Sequence, residues 1–245
     1  MQKLITIFLY LLAFTGSATE KDSLINRIFN STYNQEYQSA ELLLKTHKPE
    51  IDKLYFMVLS VDLSYWKNVT GTDHPNYNEF ENTLEHFKPE TTKTLENKAS
   101  MLIYLSYRLR YELKRYQFLS AIFTLKQTNS VYSEIPANPK SSNLEHFELL
   151  QLYNSLFSYF NSYLNPFSGK SGSKKCEQAI LSMEKLTRSE QNIVKTLANY
   201  FLGKTYLNYN KEPEKGLAHF SELAQQYPNN KKFAELKAEC EKKSN

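Results

Sequence analysis

Glycine is scarce: there are six in 245 residues. Tight β-hairpin turns rely on glycine for positive φ, so this chain is poorly equipped for a hairpin-rich β fold. Alternating apolar–polar stretches bounded by turn pairs are missing as well. Charge of one sign is also lacking. Thirty Lys and Arg face 26 Asp and Glu, giving +4, one unit of which is Lys3. The basic residues are dispersed along the chain, whereas nucleic-acid binders gather them on one face. Beyond residue 14 no apolar run approaches the twenty or so residues that span a bilayer.

Catalytic patterns are equally thin. The five histidines (His47, His74, His86, His146, His219) form no His-Glu-x-x-His motif and no Cys/His cluster. Three of them sit in a repeated Leu-x-His-Phe tetrapeptide at 84–87, 144–147 and 217–220. In helices the neighbouring Glu85–His86 and Glu145–His146 side chains diverge, so the three read as surface histidines beside a core Phe. No nucleophile elbow, no paired carboxylates on an apolar face and no cofactor fingerprint occur. The expectation is a protein that is not an enzyme, with neither cofactor nor metal. Only two cysteines are present, Cys176 and Cys240. Each falls in phase with an apolar helix face, one hairpin apart, so both are expected as unpaired thiols.

What the chain does have begins with an export pattern. Lys3 precedes an eleven-residue apolar run, Leu4 to Phe14, and Gly16-Ser17-Ala18 supplies small residues for cleavage. Residues 1–18 are expected as a signal peptide and 19–245 as one soluble domain outside the cytoplasm, periplasmic or secreted, with no stable membrane anchor.

The remainder reads as helix. All eight prolines fall between or at the edges of apolar-periodic segments. The spacing predicts helices at 22–30, 35–47, 50–67, 77–87, 94–114, 116–128, 143–164, 174–186, 190–208, 213–226 and 230–242. A residue pair four apart recurs on one face of alternate helices: Ala40/Leu44, Phe80/Leu84, Ala121/Leu125, Ala179/Met183 and Gly216/Phe220. The longest interval between pairs holds a connection around 129–142 with Pro136 and Pro139. This is the pattern of an all-α array of helical hairpins.

The stretch ANYFLGKTY, residues 198–206, fits a relaxed phosphate-loop pattern ending in Gly203-Lys204-Thr205. Such loops need glycines that bend backbone N–H groups around phosphate, and a preceding strand. Asn199 to Leu202 are bulky and helical, so that reading fails. The segment SGKSGSKK at 168–175 is expected as a flexible loop ahead of a helix. Leu202-Gly203, then Tyr206, Gly216, Phe220 and Pro228, instead resembles the tetratricopeptide repeat over about 35 residues. Asn199 departs from it where Trp is usual. The resemblance implies a right-handed α-solenoid of degenerate hairpins, capped by a polar helix from Lys231 to Lys243. It further implies a concave face that binds a protein or peptide partner. The alternative is a small-molecule or glycan receptor serving an envelope transport system.

Six residues stand out as candidates for partner binding. Asp62 falls on the apolar face of its helix with Trp66 nearby. It needs either a structural partner (a Tyr hydroxyl, the indole, an Arg of the next hairpin) or a ligand. On the helix at 94–114, Tyr104, Tyr107 and Tyr111 form a stripe opposite Leu102, Leu105, Leu109 and Leu113, with Arg108 at its edge. These tyrosines either pack against the preceding hairpin around Trp66 or line a concave groove. That groove would continue along Asn154, Ser155, Ser158 and Ser162.

Overall fold

A computed structural model describes residues 23–90, 92–135, 147–163 and 169–244. The expected signal peptide, Pro136 and Pro139, and His146 lie outside the described residues. Among those described, the chain is helical and contains no strand. The helices are α1 (23–33), α2 (Tyr37–Thr46), α3 (Lys53–Tyr65), α4 (Tyr77–His86), α5 (Leu95–Lys114) and α6 (Phe118–Ser133). They continue as α7 (Phe147–Tyr163), α8 (Gly169–Leu186), α9 (Asn192–Thr205), α10 (Pro213–Gln226) and α11 (Lys231–Ser244).

Local chemistry sets many of these ends. Asp52 accepts from the Leu54 and Tyr55 amides at 2.8 and 3.4 Å and caps α3. Asn76 and Thr94 cap α4 and α5 through the amides of Glu79 and Asn97. Pro213 opens α10, where its missing N–H costs nothing. Helices α3 and α9 each run into a π turn, Trp66–Thr70 and Tyr206–Asn210. Two expectations need correction. Helix α8 starts at Gly169, so the SGKSGSKK segment is largely helical backbone, and α6 continues to Ser133 through residues expected as a connection.

Burial separates the helices into two kinds. Helices α3 and α9 are buried around most of their circumference, and α5 over Ala99 to Tyr107, as expected of helices surrounded by others. The even-numbered helices bury one stripe each: Ala40 and Leu44 on α2, Phe80 and Leu84 on α4, Gly216, Phe220 and Leu223 on α10. The recurring four-apart pairs therefore all lie on the outer helices and face an inner one. Successive helices pack side by side, and α3, α5, α7 and α9 also pack on one another.

The two ends of the array meet. The Asn230 side chain donates to the Tyr33 carbonyl oxygen at 2.7 Å, and Asn192 donates to Asn30 at 2.8 Å. Rings from α1, α3, α9 and α11 converge there: Trp66 lies 5.0 Å from Tyr33, 5.8 Å from Tyr200 and 5.4 Å from Phe233. Tyr153 of α7 sits edge-on to Phe201 of α9. The inner sides of these helices thus contact one another across the middle. The polar strip foreseen on α7 is no groove wall, since Ser155 and Ser162 are buried and Ser155 bonds Ser182 of α8 at 2.8 Å.

The last hairpin explains residues 198–206. They lie in α9 and its π turn, so Gly203 cradles no phosphate. Gly203 faces the fully buried Phe220: a Cβ added there would lie 2.7 Å from the ring. Asn199, where the repeat resemblance expects Trp, pairs with Nδ1 of His219 at 2.8 Å, and that imidazole stacks on Tyr206. His219 is therefore half-buried and packed rather than a surface residue. Both cysteines are free, Cys240 in the core. Gly203→Ala is expected to destabilise the protein by about 1–3 kcal/mol, because a buried aromatic ring must move to admit the methyl. Urea unfolding measures it.

Candidate functional site

The six residues singled out above fall into two groups. Asp62, Trp66 and Tyr107 belong to the buried centre. Tyr107 of α5 donates its hydroxyl to Asp62 of α3 at 2.7 Å, and both residues are buried. Tyr33 of α1 also reaches this carboxylate. Arg110 lies over the Tyr107 ring at 4.1 Å and over Tyr65 and Phe201 at 5.0 and 5.5 Å, held by cation–π attraction beside Asp62. Burial pushes the Asp62 carboxyl above its ordinary value of 3.8, against the Tyr107 hydrogen bond and the Arg110 charge, which pull it down. Of the partners foreseen for a structural Asp62, a tyrosine hydroxyl bonds Oδ1, Arg110 acts through its charge, and Oδ2 has no hydrogen-bond partner among the described residues.

Tyr104, Arg108 and Tyr111 form the second group, a network between α5 and α4. The Tyr104 hydroxyl donates to Glu85 at 2.8 Å, and that of Tyr111 to Glu81 at 2.9 Å. Arg108 bonds Glu85, the Tyr104 hydroxyl at 2.9 Å and Glu112 Oε1 at 3.1 Å. Burial and the Glu85 bond push the Tyr104 hydroxyl up to about 12. Tyr104, Tyr107 and Tyr111 are all buried; they pack against the preceding hairpin rather than line an open groove. Leu113 of the opposite stripe is exposed, so the apolar stripe fails at that end.

Arg108 and Tyr111 nonetheless reach the edge of an open cleft of about 540 Å³. Its lining also includes Glu81, Glu112, Tyr116, Phe118 and Ser120 at the corner between α5 and α6. Glu112 is the unusual residue here. Its side chain is buried; Oε1 accepts from Arg108 and from Ser120 Oγ at 2.8 Å, while Oε2 has no hydrogen-bond partner among the described residues. An unpaired buried carboxylate oxygen is costly, and such atoms call for an explanation. Tyr116 turns the corner at φ 59 and is 79% exposed. A bulky residue in the left-handed region is strained, and strain of this kind gathers at functional surfaces.

From the cleft an apolar face runs along α6. Phe118, Leu119, Ile122 and Phe123 are 60–77% exposed, while the same helix buries Ala121, Thr124, Thr128 and Val131. Helix α6 therefore turns its small and polar residues inward and its large apolar residues outward. Sequence reasoning missed this surface although a signal was present. The Ala121/Leu125 pair marks the inward face, and the two phenylalanines lie off it.

None of the family models, curated proteins or solved structures compared with the chain matches it. Among the described residues no group of three His, Cys, Asp or Glu is placed to hold a metal ion.

The Asp62 environment has a pH signature. Because burial favours the protonated carboxyl in the fold, its stabilising contribution is complete below about 3.8 and is lost as pH rises through the higher folded value. The stability difference between wild type and Asp62→Asn is expected to be largest near pH 4 and to shrink towards pH 7. Paired denaturation curves at the two pH values measure it.

Proposed function

We propose that the protein is an exported scaffold of degenerate tetratricopeptide-like hairpins, and that it binds a protein partner through α6 and the adjoining cleft. The observation that carries this reading is the exposed apolar face of α6, since monomeric proteins seldom leave contiguous apolar patches beyond a few hundred Å² in water. Aromatic side chains at its centre and charged groups at its rim match the anatomy of protein interfaces. The repeat reading is supported by the outer-helix pairs, by the Gly203–Phe220 approach and by α11, which closes the last hairpin with Phe233, Leu236 and Cys240. Export rests on the pattern of residues 1–18. Because the inner face is packed shut, binding moves from the concave side to an outer helix.

A small-molecule or glycan receptor is the second reading. It is favoured by the cleft volume, which lies within the roughly 300–1,000 Å³ of ligand pockets, and by the unpaired Glu112 oxygen.

A photo-crosslinking residue placed at Phe123 in the native host is expected to trap a protein adduct. The same residue at Leu42, exposed on α2, is expected to trap none. Equal labelling at both positions, or none at Phe123, contradicts the docking reading.

A further inference from the structure

The occupant of the α6 face can be argued from its size and charge. Leu113, Tyr116, Phe118, Leu119, Ile122 and Phe123 are 45–79% exposed. With side chains of this size near 200 Å², they present on the order of 800 Å², about what one partner buries in a stable protein–protein interface. Lys126 lies one helical turn beyond Ile122 and two beyond Phe118, hence on the same face. It is exposed and has no ion-pair partner among the described residues. At the other end of the stripe the cleft is lined by Glu81, half-exposed and 3.8 Å from Arg115, and by Glu112, paired with Arg108 through Oε1 and unpaired at the buried Oε2.

We infer that the α6 face is covered by a second copy of this chain, packed antiparallel about a two-fold axis, with Lys126 of each copy entering the other's cleft towards Glu112. The inference rests on the reading of α6 as a docking surface. An antiparallel helix pair centred near Ile122 sets Lys126 opposite Phe118, because the two residues flank that centre equally. The eight-residue step between them spans about 12 Å, which matches the stripe to itself. The ammonium then enters the cleft lined by Glu81 and Glu112, with Tyr116 and Phe118 beside it, the rings offering their faces to the cation. A two-fold axis makes this contact twice, since each copy contributes both the lysine and the cleft. A lipid surface fits less well, because Lys126 is the one basic residue of α6, short of the basic cluster that anionic headgroups recruit.

Sedimentation equilibrium of the purified mature protein over a concentration series tests this directly. The wild type is expected to approach twice the monomer mass. Ile122→Glu is expected to remain monomeric with an unchanged melting curve, as the position is exposed. Lys126→Glu should weaken association by about tenfold or more, the scale of a lost close charge pair, whereas Lys126→Arg retains it. Leu42→Glu serves as the surface control and should behave as wild type. A wild type that stays monomeric throughout overturns the inference. So does a dimer indifferent to both Ile122→Glu and Lys126→Glu, or a monomer that binds phosphatidylglycerol vesicles through Ile122. Should the wild type be monomeric while Phe123 still crosslinks to a different protein, the second-copy inference fails and the docking reading stands. Monomer with no adduct at Phe123 removes both.

Discussion

A carboxylate at the centre of an all-helical protein must be answered, and the Tyr107 hydroxyl answers Asp62. That bond ties α5 to α3, with Tyr33 of α1 on the same carboxylate and Arg110 clasped by Tyr65, Tyr107 and Phe201 beside it. Removing one partner from a buried charged network costs more than any surface ion pair supplies. The inner helices are therefore held to a common middle. Tyr153, Trp66 and Tyr200 fill the space around it, and the Asn230–Tyr33 bond joins the two ends of the chain. Among the described residues the inner faces of these helices meet around this carboxylate instead of opening into a groove there.

With the interior packed, the proposed binding surface lies on the outside. The strongest polar–aromatic residues of α5 are consumed in holding α3 and α4, and what remains free is the turn and helix that follow. Tyr116 keeps a costly left-handed backbone at the corner, Glu112 keeps a buried unpaired oxygen beside the cleft, and α6 turns two phenylalanines to solvent. Each of these is a stability cost for an isolated chain. Together they are the features that support the proposed docking surface.

Much of the fold was legible in the sequence, because helix phase depends on neighbours three and four residues away. The span of α10 agrees with the periodic pattern, and the outer-helix pairs at Ala40, Phe80, Ala179 and Gly216 mark buried faces. The partners of Asp62 could be foreseen as a tyrosine and an arginine, since few groups in reach satisfy a buried carboxylate. Closure could not be foreseen: Asn230 meets Tyr33 and Asn192 meets Asn30 across 197 and 162 residues, and no local pattern encodes that distance. The scarcity of glycine also hid three turns. Gln35, Tyr116 and Lys211 take positive φ between paired helices, where glycine is the usual signal. Tyr104, Tyr107 and Tyr111 could be assigned to a stripe but not to core or groove, because a fully surrounded helix and a groove-lining helix show the same wheel.

Hydroxyl-radical footprinting across a dilution series tests the central claim, a sealed interior with its docking face on α6. The account predicts that Tyr107 and Tyr153 stay unmodified at every concentration. Tyr116, Phe118 and Phe123 should be modified when dilute and protected when concentrated. Modification of Tyr107 and Tyr153 in the folded protein, or α6 rings that stay unmodified even when dilute, would contradict it.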